Sequence, residues 1–98
     1  MKVIKRNGEE VEFSRSKIIS AISRANDELA QANPKNTLSD DEINSIATRL
    51  YERCRKRPTP THTSEIQEMV ETELMKAGAF ELAKLYIKSG FRKGQQQQ

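Results

Sequence analysis

Three basic side chains near the start of the sequence could bind an anion. Lys5 and Arg6 precede an Asn-Gly dipeptide, and Lys17 lies in the first turn of a predicted helix. A cation there opposes the helix dipole, so Lys17 is poorly placed unless an anion compensates it. Backbone N–H groups at a helix start, together with lysine and arginine, can bind phosphate. The alternative is that Lys5 pairs across the strands with Glu10 and that Lys17 is solvated.

A β-hairpin is predicted to carry the first two of these cations. The Asn-Gly dipeptide tolerates the positive φ angles of a type I′ turn, which makes it a two-residue loop. That register pairs Ile4 with Val11 and Val3 with Glu12. The apolar face, which must be buried, then holds Ile4, Val11 and Phe13, and the opposite face holds Val3, Lys5, Glu10 and Glu12.

Four helices are predicted after the hairpin, each from apolar residues at helical spacing. The first covers residues 15–30 after an N-cap at Ser14, and Ser39 forms a capping box with Glu42 at the start of the second. Gly78 terminates the third helix. The expected buried positions are Ile18, Ile22, Ala25 and Leu29 in the first helix; Ile43, Ile46, Ala47, Leu50 and Cys54 in the second; Ile66, Met69, Val70 and Leu74 in the third; and Phe80, Ala83 and Ile87, flanked by Leu82 and Tyr86, in the fourth.

The segment before the third helix is predicted to be extended. Two prolines and several β-branched residues in residues 58–63 exclude a helix there, and the segment could add a third strand to the hairpin. Thr63 or Ser64 then caps the third helix. The fold class is therefore α+β: an N-terminal hairpin, or a three-stranded cap, over a bundle of about four helices. Residues 2–93 form one domain, and the Gln-rich residues 94–98 are expected to be disordered.

Composition and motifs exclude several function classes. The 98 residues contain one cysteine, Cys54, and one histidine, His62, so an internal disulfide, a cysteine zinc site and a histidine metal site are not expected. Phosphate-loop, dinucleotide, zinc-protease and catalytic-triad patterns are absent from the sequence, which favours a binding module over an enzyme. No apolar run reaches membrane-spanning length, and no signal peptide is recognised, so we expect a cytoplasmic protein without a membrane partner.

Two further basic clusters each have two interpretations. The run Arg53, Arg55, Lys56 and Arg57 either complements the end of the second helix or forms a nucleic-acid patch. The second interpretation makes the chain a small nucleic-acid-binding regulator, although no aromatic residue lies within the run to stack on bases. In the last helix, the cations at i, i+4 and i+8 either face solvent or share an anion. These three cations are Lys84, Lys88 and Arg92.

The order and spacing of these motifs resemble the ATP-cone family. The matching stretches are Val3-Ile4-Lys5-Arg6-Asn7-Gly8, Phe13 with Ser14-Arg15-Ser16-Lys17-Ile18, Thr63-Ser64-Glu65-Ile66, and Ala83-Lys84-Leu85-Tyr86-Ile87. The resemblance covers residues 2–93. It implies a regulatory domain, not an enzyme, that binds ATP or dATP between a small β cap and the helices. In the family such a domain is usually part of ribonucleotide reductase.

The resemblance also implies which residues bind the nucleotide. The first strand and turn contribute Val3, Lys5 and Arg6; the first helix contributes Ser14, Lys17 and Ile18; the third helix contributes Thr63; and the last contributes Lys88 or Arg92. Mg²⁺ is expected with the triphosphate. The expected partners are the catalytic region of ribonucleotide reductase or another copy of this chain, and not nucleic acid. The chain is then either an excised regulatory domain or a free-standing cone, in which the nucleotide controls oligomeric state and activity.

Overall fold

The computed structural model describes residues 1–89, which form three short strands and four α-helices. The α+β class and the helix bundle are therefore confirmed. Arg92 and the predicted tail at 94–98 lie outside the described residues, and the domain bounds 2–93 stay a prediction. In chain order the elements are β1 (Lys2–Ile4), β2 (Glu10–Glu12), α1 (Arg15–Ala32), a 3₁₀ turn (Pro34–Asn36), α2 (Asp40–Arg55), β3 (Thr61–His62), α3 (Thr63–Lys76) and α4 (Phe80–Ser89).

The three strands form one sheet in the order β2-β1-β3. β1 is antiparallel to β2 and parallel to β3, with Val3 opposite Val11 on one side and Thr61 on the other. The prediction that the extended segment before the third helix adds a strand is thus confirmed. Because β1 is the central strand, both of its edges are paired.

The predicted hairpin register is wrong by one residue. Val3 pairs with Val11, not Glu12, because the loop contains three residues, Arg6, Asn7 and Gly8. Gly8 alone among them has a positive φ, of 88°, whereas a type I′ turn requires two such residues. The Asn7 side chain instead accepts the Glu9 N–H at 2.9 Å, and the Gly8 N–H donates to the Lys5 carbonyl at 2.9 Å.

This register exchanges the two predicted faces of β1. Val3 is completely buried in the core, together with Phe13, and Ile4 is only half-buried on the outer face. A one-residue slip has this effect because successive side chains point to opposite sides of a strand. Lys5, two residues after Val3, therefore lies on the face that packs against the helices, and the prediction that its face is opposite the core is wrong.

The helices start and stop largely as expected, with one exception. Ser39 and Glu42 form the predicted capping box, and Gly78, with φ of 78°, ends α3. The Ala79 N–H donates to the Leu74 carbonyl at 2.9 Å, which completes a Schellman motif. However, α3 begins at Thr63 with His62 as its N-cap, so the prediction of Thr63 or Ser64 as the cap is wrong.

The core is the shared interior of the four helices and the inner face of the sheet. All predicted core positions of α1 and α2 are buried, as are those of α3 except Met69, which is half-buried. In α4 the prediction for Phe80 is wrong, because this side chain is 58% exposed. At about 100° per residue Phe80 lies on the opposite side of α4 from Leu82. The buried residues at the start and along the length of α4 are Ala79, Leu82, Ala83 and Tyr86; Ile87 is half-buried.

Side-chain amides connect the helices at the end of the bundle that lies away from the hairpin. The Asn26 amide pairs with the Leu38 backbone in both directions, at 2.9 Å each, which fixes the connection from α1 to α2. Asn33 and Asn36 both donate to the Glu81 carboxylate, so the end of α1 lies beside the start of α4. The helices thus run alternately up and down, and α4 is antiparallel to α1.

Among residues 1–89 no helix combines the length and the apolar character needed to cross a membrane.

Candidate functional site

The start of α1 has the features of an anion-binding helix end. Ser14 occupies the N-cap position in an extended conformation, but its hydroxyl pairs with the Ser16 hydroxyl at 2.8 Å and caps no backbone N–H. The first turn of α1 contains no acidic residue. The Lys17 N–H donates to the Ser14 carbonyl at 3.1 Å, but no side chain caps the turn. The N–H groups at a helix start point outward along its axis, towards a position that an anion can occupy.

The Lys17 side chain folds back over the junction between β2 and α1. Its Nζ lies 3.4 Å from the Glu12 carbonyl oxygen and 6.0 Å from the centre of the Phe13 ring. Both contacts are at the long end of their ranges, and neither neutralises the charge. The ammonium is therefore held near the helix start while it stays exposed.

Lys5 and Arg6 lie where the hairpin loop begins. Lys5 pairs with Glu9 at 3.7 Å and not with Glu10, so the predicted cross-strand partner is wrong. This pair is half-exposed on both sides and is worth little to stability. Arg6 is exposed and has no ion-pair partner among residues 1–89. Both cations can therefore turn towards a ligand at small cost.

The sheet places the start of α3 beside the hairpin. Thr63 is half-buried and directly follows His62, which is paired with Ile4 of β1. Two other predicted site residues, Val3 and Ile18, are completely buried. Their side chains are part of the hydrophobic core beneath the candidate site.

The predicted residues form two groups at opposite ends of β1. Lys5, Arg6 and Thr63 lie where β1 ends, whereas Ser14 and Lys17 lie near its beginning, because the Phe13 N–H donates to the Met1 carbonyl at 2.7 Å. At about 3.3 Å per residue the three residues of β1 separate the groups by roughly 10 Å. A single ligand that reaches both groups must therefore be elongated.

Lys88 is exposed in the last turn of α4. It is not among the residues that the pairings of β1 bring together. Arg92, the alternative residue, lies outside the described part of the chain.

A comparison with known families identifies the family of this chain. The model of the ATP cone domain family matches residues 1–90. The chain belongs to the ATP-cone family. It is a nucleotide-binding regulatory domain.

A longer relative contains a similar cone. The ribonucleoside-diphosphate reductase subunit alpha of Chlamydia pneumoniae is 36% identical to this chain over 90 residues. The match covers 87% of the chain but only 8% of the relative. The cone therefore corresponds to a small part of that subunit.

The basic run at the end of α2 is paired with carboxylates in this cone. Three arginines of the run each donate to one glutamate on α2 or α3, at distances of 2.7 to 3.5 Å. Hydrogen bonds lower the pKa of all three carboxyls. The main donor is Arg55 for Glu52 and Arg49 for Glu73, whereas the His62 N–H, followed by Arg57, lowers the pKa of Glu65 to about 2. Three of the four cations of the run are therefore paired, and the fourth, Lys56, is exposed. The pairs are Arg53 with Glu73, Arg55 with Glu52 and Arg57 with Glu65.

Cys54 behaves as a small core residue, as predicted. It is buried in α2, its Sγ lies 3.8 Å from the sulfur of Met69, and burial raises the pKa of its thiol. A raised pKa disfavours the nucleophilic thiolate. Among residues 1–89 no three His, Cys, Asp or Glu side chains are grouped as metal ligands.

Sequence reasoning missed two residues beside Thr63. Glu65 accepts hydrogen bonds from two segments, and Gln67 is a buried polar residue one turn after Thr63. Glu65 could have been found from its position three residues after His62, which is the spacing of a capping box. Gln67 lies three residues after Ser64, which is also capping-box spacing, but this pattern does not predict that its side chain is buried between Ile66 and Val70.

Proposed function

We propose that this ATP cone senses nucleotides by binding ATP or dATP with Mg²⁺. The bound nucleotide then controls the activity and oligomeric state of a ribonucleotide reductase. The observation that carries the proposal is the start of α1, where N–H groups without a side-chain cap lie beside the exposed Lys17 ammonium. A triphosphate fits this end because it compensates both the helix dipole and the misplaced cation.

The other cations extend the site along the hairpin. Lys5 lies on the helix-facing side of the sheet, and Arg6 is exposed in the loop next to it. We assign these two residues and Lys17 to the phosphates, with Ser14 at the helix start. The roughly 10 Å between the two groups suits an elongated nucleotide better than a single phosphate ion.

The remaining predicted residues are assigned roles other than binding the phosphates at the start of α1. Thr63 is assigned to the base or ribose, because it borders the hairpin without carrying charge. Val3 and Ile18 form the apolar support beneath the ligand. Lys88 or Arg92 remains the proposed contribution of the last helix.

Mg²⁺ would supply positive charge between the phosphates of the nucleotide. The described residues offer cations and N–H donors to the triphosphate, and we therefore propose that the ion is held by the nucleotide and not by a protein carboxylate. The partner that receives the signal is the catalytic region of the reductase or a second copy of this chain, in the cytoplasm.

Calorimetric titration with ATP and with dATP in the presence of Mg²⁺ tests the proposal. We expect micromolar binding, which corresponds to about −8 kcal/mol at 1 μM. Lys17→Ala should weaken this binding at least tenfold. The matched control is Lys35→Ala, because Lys35 is exposed in the 3₁₀ turn at the opposite end of the bundle. If the folded chain binds neither nucleotide, the proposal is wrong.

Sedimentation velocity tests the control of oligomeric state. We expect the ATP and dATP complexes of the chain to differ in their sedimentation coefficients, and Lys17→Ala to show no nucleotide-dependent difference. Identical coefficients in all conditions would restrict the proposal to nucleotide binding. A titration with duplex DNA at increasing salt serves as the control for the nucleic-acid alternative.

A further inference from the structure

The observed start of α3 differs from the start that local sequence preference favours. Histidine is a poor N-cap, whereas the two residues that follow His62, a threonine and a serine, are among the preferred ones. Ser64 is also followed at the correct spacing by Gln67, which gives a second capping-box pattern in the same segment. Local preference therefore favours a start one or two residues later than the one observed.

The hydrogen bonds of Glu65 stabilise the earlier start of α3. Its Oε1 accepts the His62 N–H at 2.9 Å, and its Oε2 accepts from the Arg57 guanidinium at 3.0 Å. Arg57 is itself attached to the end of α2, because its backbone N–H donates to the Cys54 carbonyl at 3.2 Å. One carboxylate thus joins the end of α2, the end of β3 and the first turn of α3.

The selected start determines how α3 meets the hairpin. With His62 as the cap, Thr63 opens the helix while His62 still pairs with Ile4 in β1. A start at Ser64 would make Thr63 the N-cap and change its backbone from helical to extended. The next residues after Ile4 are Lys5 and Arg6, so the same change would alter the spacing between Thr63 and these cations.

We propose that Glu65 is a positioning residue for the nucleotide site. It holds Thr63 in a fixed position relative to Lys5 and Arg6 without contacting the nucleotide itself. The inference rests on the proposed function, since it assumes that these three residues bind one ligand.

Three variants test this role by calorimetry with ATP. Glu65→Ala removes both hydrogen bonds and should weaken ATP binding about tenfold, the loss expected when a helix cap worth about 1.4 kcal/mol no longer holds the site. Glu65→Gln keeps an oxygen for the His62 N–H but loses the charge, so it should restore most of the affinity, to within about threefold of the wild type. Glu52→Ala is the matched control. Glu52 also accepts a hydrogen bond from an arginine, Arg55 at 2.7 Å, but both residues belong to α2.

A second measurement separates positioning from general destabilisation. Amide hydrogen exchange of His62 reports its bond to Glu65, and it should become faster in Glu65→Ala but not in Glu52→Ala. Binding is measured at a temperature at which each variant is folded by circular dichroism. If Glu65→Ala does not fold, Arg57→Ala, which removes the guanidinium partner of Glu65, replaces it in the comparison with the wild type.

The possible outcomes distinguish this inference from the proposed function. A wild-type chain that binds nucleotide with a Glu65→Ala variant of unchanged affinity overturns the positioning role and leaves nucleotide sensing intact. Equal losses in Glu65→Ala and Glu52→Ala also overturn it, because a general effect of lost surface pairs would explain both. If Arg57→Ala has to replace Glu65→Ala, unchanged affinity in Arg57→Ala has the same meaning. A wild-type chain without nucleotide binding overturns both proposals.

Discussion

At the scale of single residues, a buried carboxylate joins α2 to α3. The Glu73 side chain is 8% exposed and lies 2.7 Å from Arg49, 3.5 Å from Arg53 and 3.9 Å from Lys76. A buried charge is costly when its best partner is removed, although here two weaker partners remain. The pKa of Glu73 is lowered mainly by its hydrogen bond from Arg49, which identifies that arginine as the principal partner.

We therefore predict that Arg49→Ala lowers the free energy of unfolding by about 2 kcal/mol. Arg55→Ala removes an exposed pair and should cost less than about 1 kcal/mol. Urea denaturation at neutral pH measures both values. Equal effects of the two substitutions would show that burial of Glu73 does not strengthen its dependence on arginine.

Glu65 and Glu73 also predict how stability depends on pH. Both carboxyls have a pKa below the ordinary value of 4.5, and that of Glu65 is about 2 because of the His62 N–H and Arg57. A pKa that is lower in the folded state stabilises it above pH 4.5, and this contribution is lost as the pH falls towards 2. We expect the free energy of unfolding to decrease over this range.

Urea denaturation between neutral pH and about pH 3 checks this expectation. The decrease should be smaller in Glu65→Gln, which cannot titrate at this position. Because Glu65 is partly exposed, solvent screening limits the difference between the two chains. A difference of the opposite sign would contradict the lowered pKa.

At the scale of elements, the hairpin shows how burial overrides a local turn signal. The Asn-Gly dipeptide predicts a two-residue loop, but that register would leave Val3 on the outer face. The observed three-residue loop instead buries Val3 beside Val11. Packing of Val3 against the helices is not visible in the twelve residues of the hairpin, so local sequence alone could not select the register.

A pair of alanine substitutions tests this register directly. Val3→Ala should cost about 2 kcal/mol of unfolding free energy, because Val3 is completely buried. Ile4→Ala removes a larger but half-buried side chain and should cost about 1 kcal/mol or less. The predicted two-residue loop would require the opposite order, so chemical denaturation of the two variants decides between the registers.

The helices were predictable where their periodicity and caps agree. In α2 the capping box and every buried position follow from the sequence, since both signals are local. In α4 the stripe was assigned to Phe80 instead of Leu82, because several apolar residues allow two stripes. In α3 the local caps at Thr63 and Ser64 lose to the contact of Glu65 with Arg57, which depends on how α2 meets α3.

At the scale of the whole molecule, the candidate site joins elements that are distant in sequence. The three cations could be identified from residue type and spacing, and the family resemblance assigned them to one ligand. The face of the hairpin to which Lys5 belongs and the separation of the two groups by β1 depend on the register of the sheet. These features could not be read from residues 1–17 alone.

A nucleotide that binds across these elements should stabilise the whole fold. At an ATP concentration of about 100 times the dissociation constant, the free energy of unfolding should increase by about 2.7 kcal/mol. Thermal or chemical denaturation with and without ATP measures this increase. Lys17→Ala should reduce it at the same ATP concentration, whereas Lys35→Ala should not. Equal stabilisation of both variants would place the ligand elsewhere on the molecule.

The central position of β1 has a consequence for synthesis on the ribosome. β1 and β2 leave the exit tunnel before α1 and α2, but an isolated hairpin is only marginally stable in water. The parallel partner β3 follows only after α1 and α2 have been made. The first strand of the chain is therefore among the last to reach its final place, and nascent chains that end before Thr61 should not retain nucleotide.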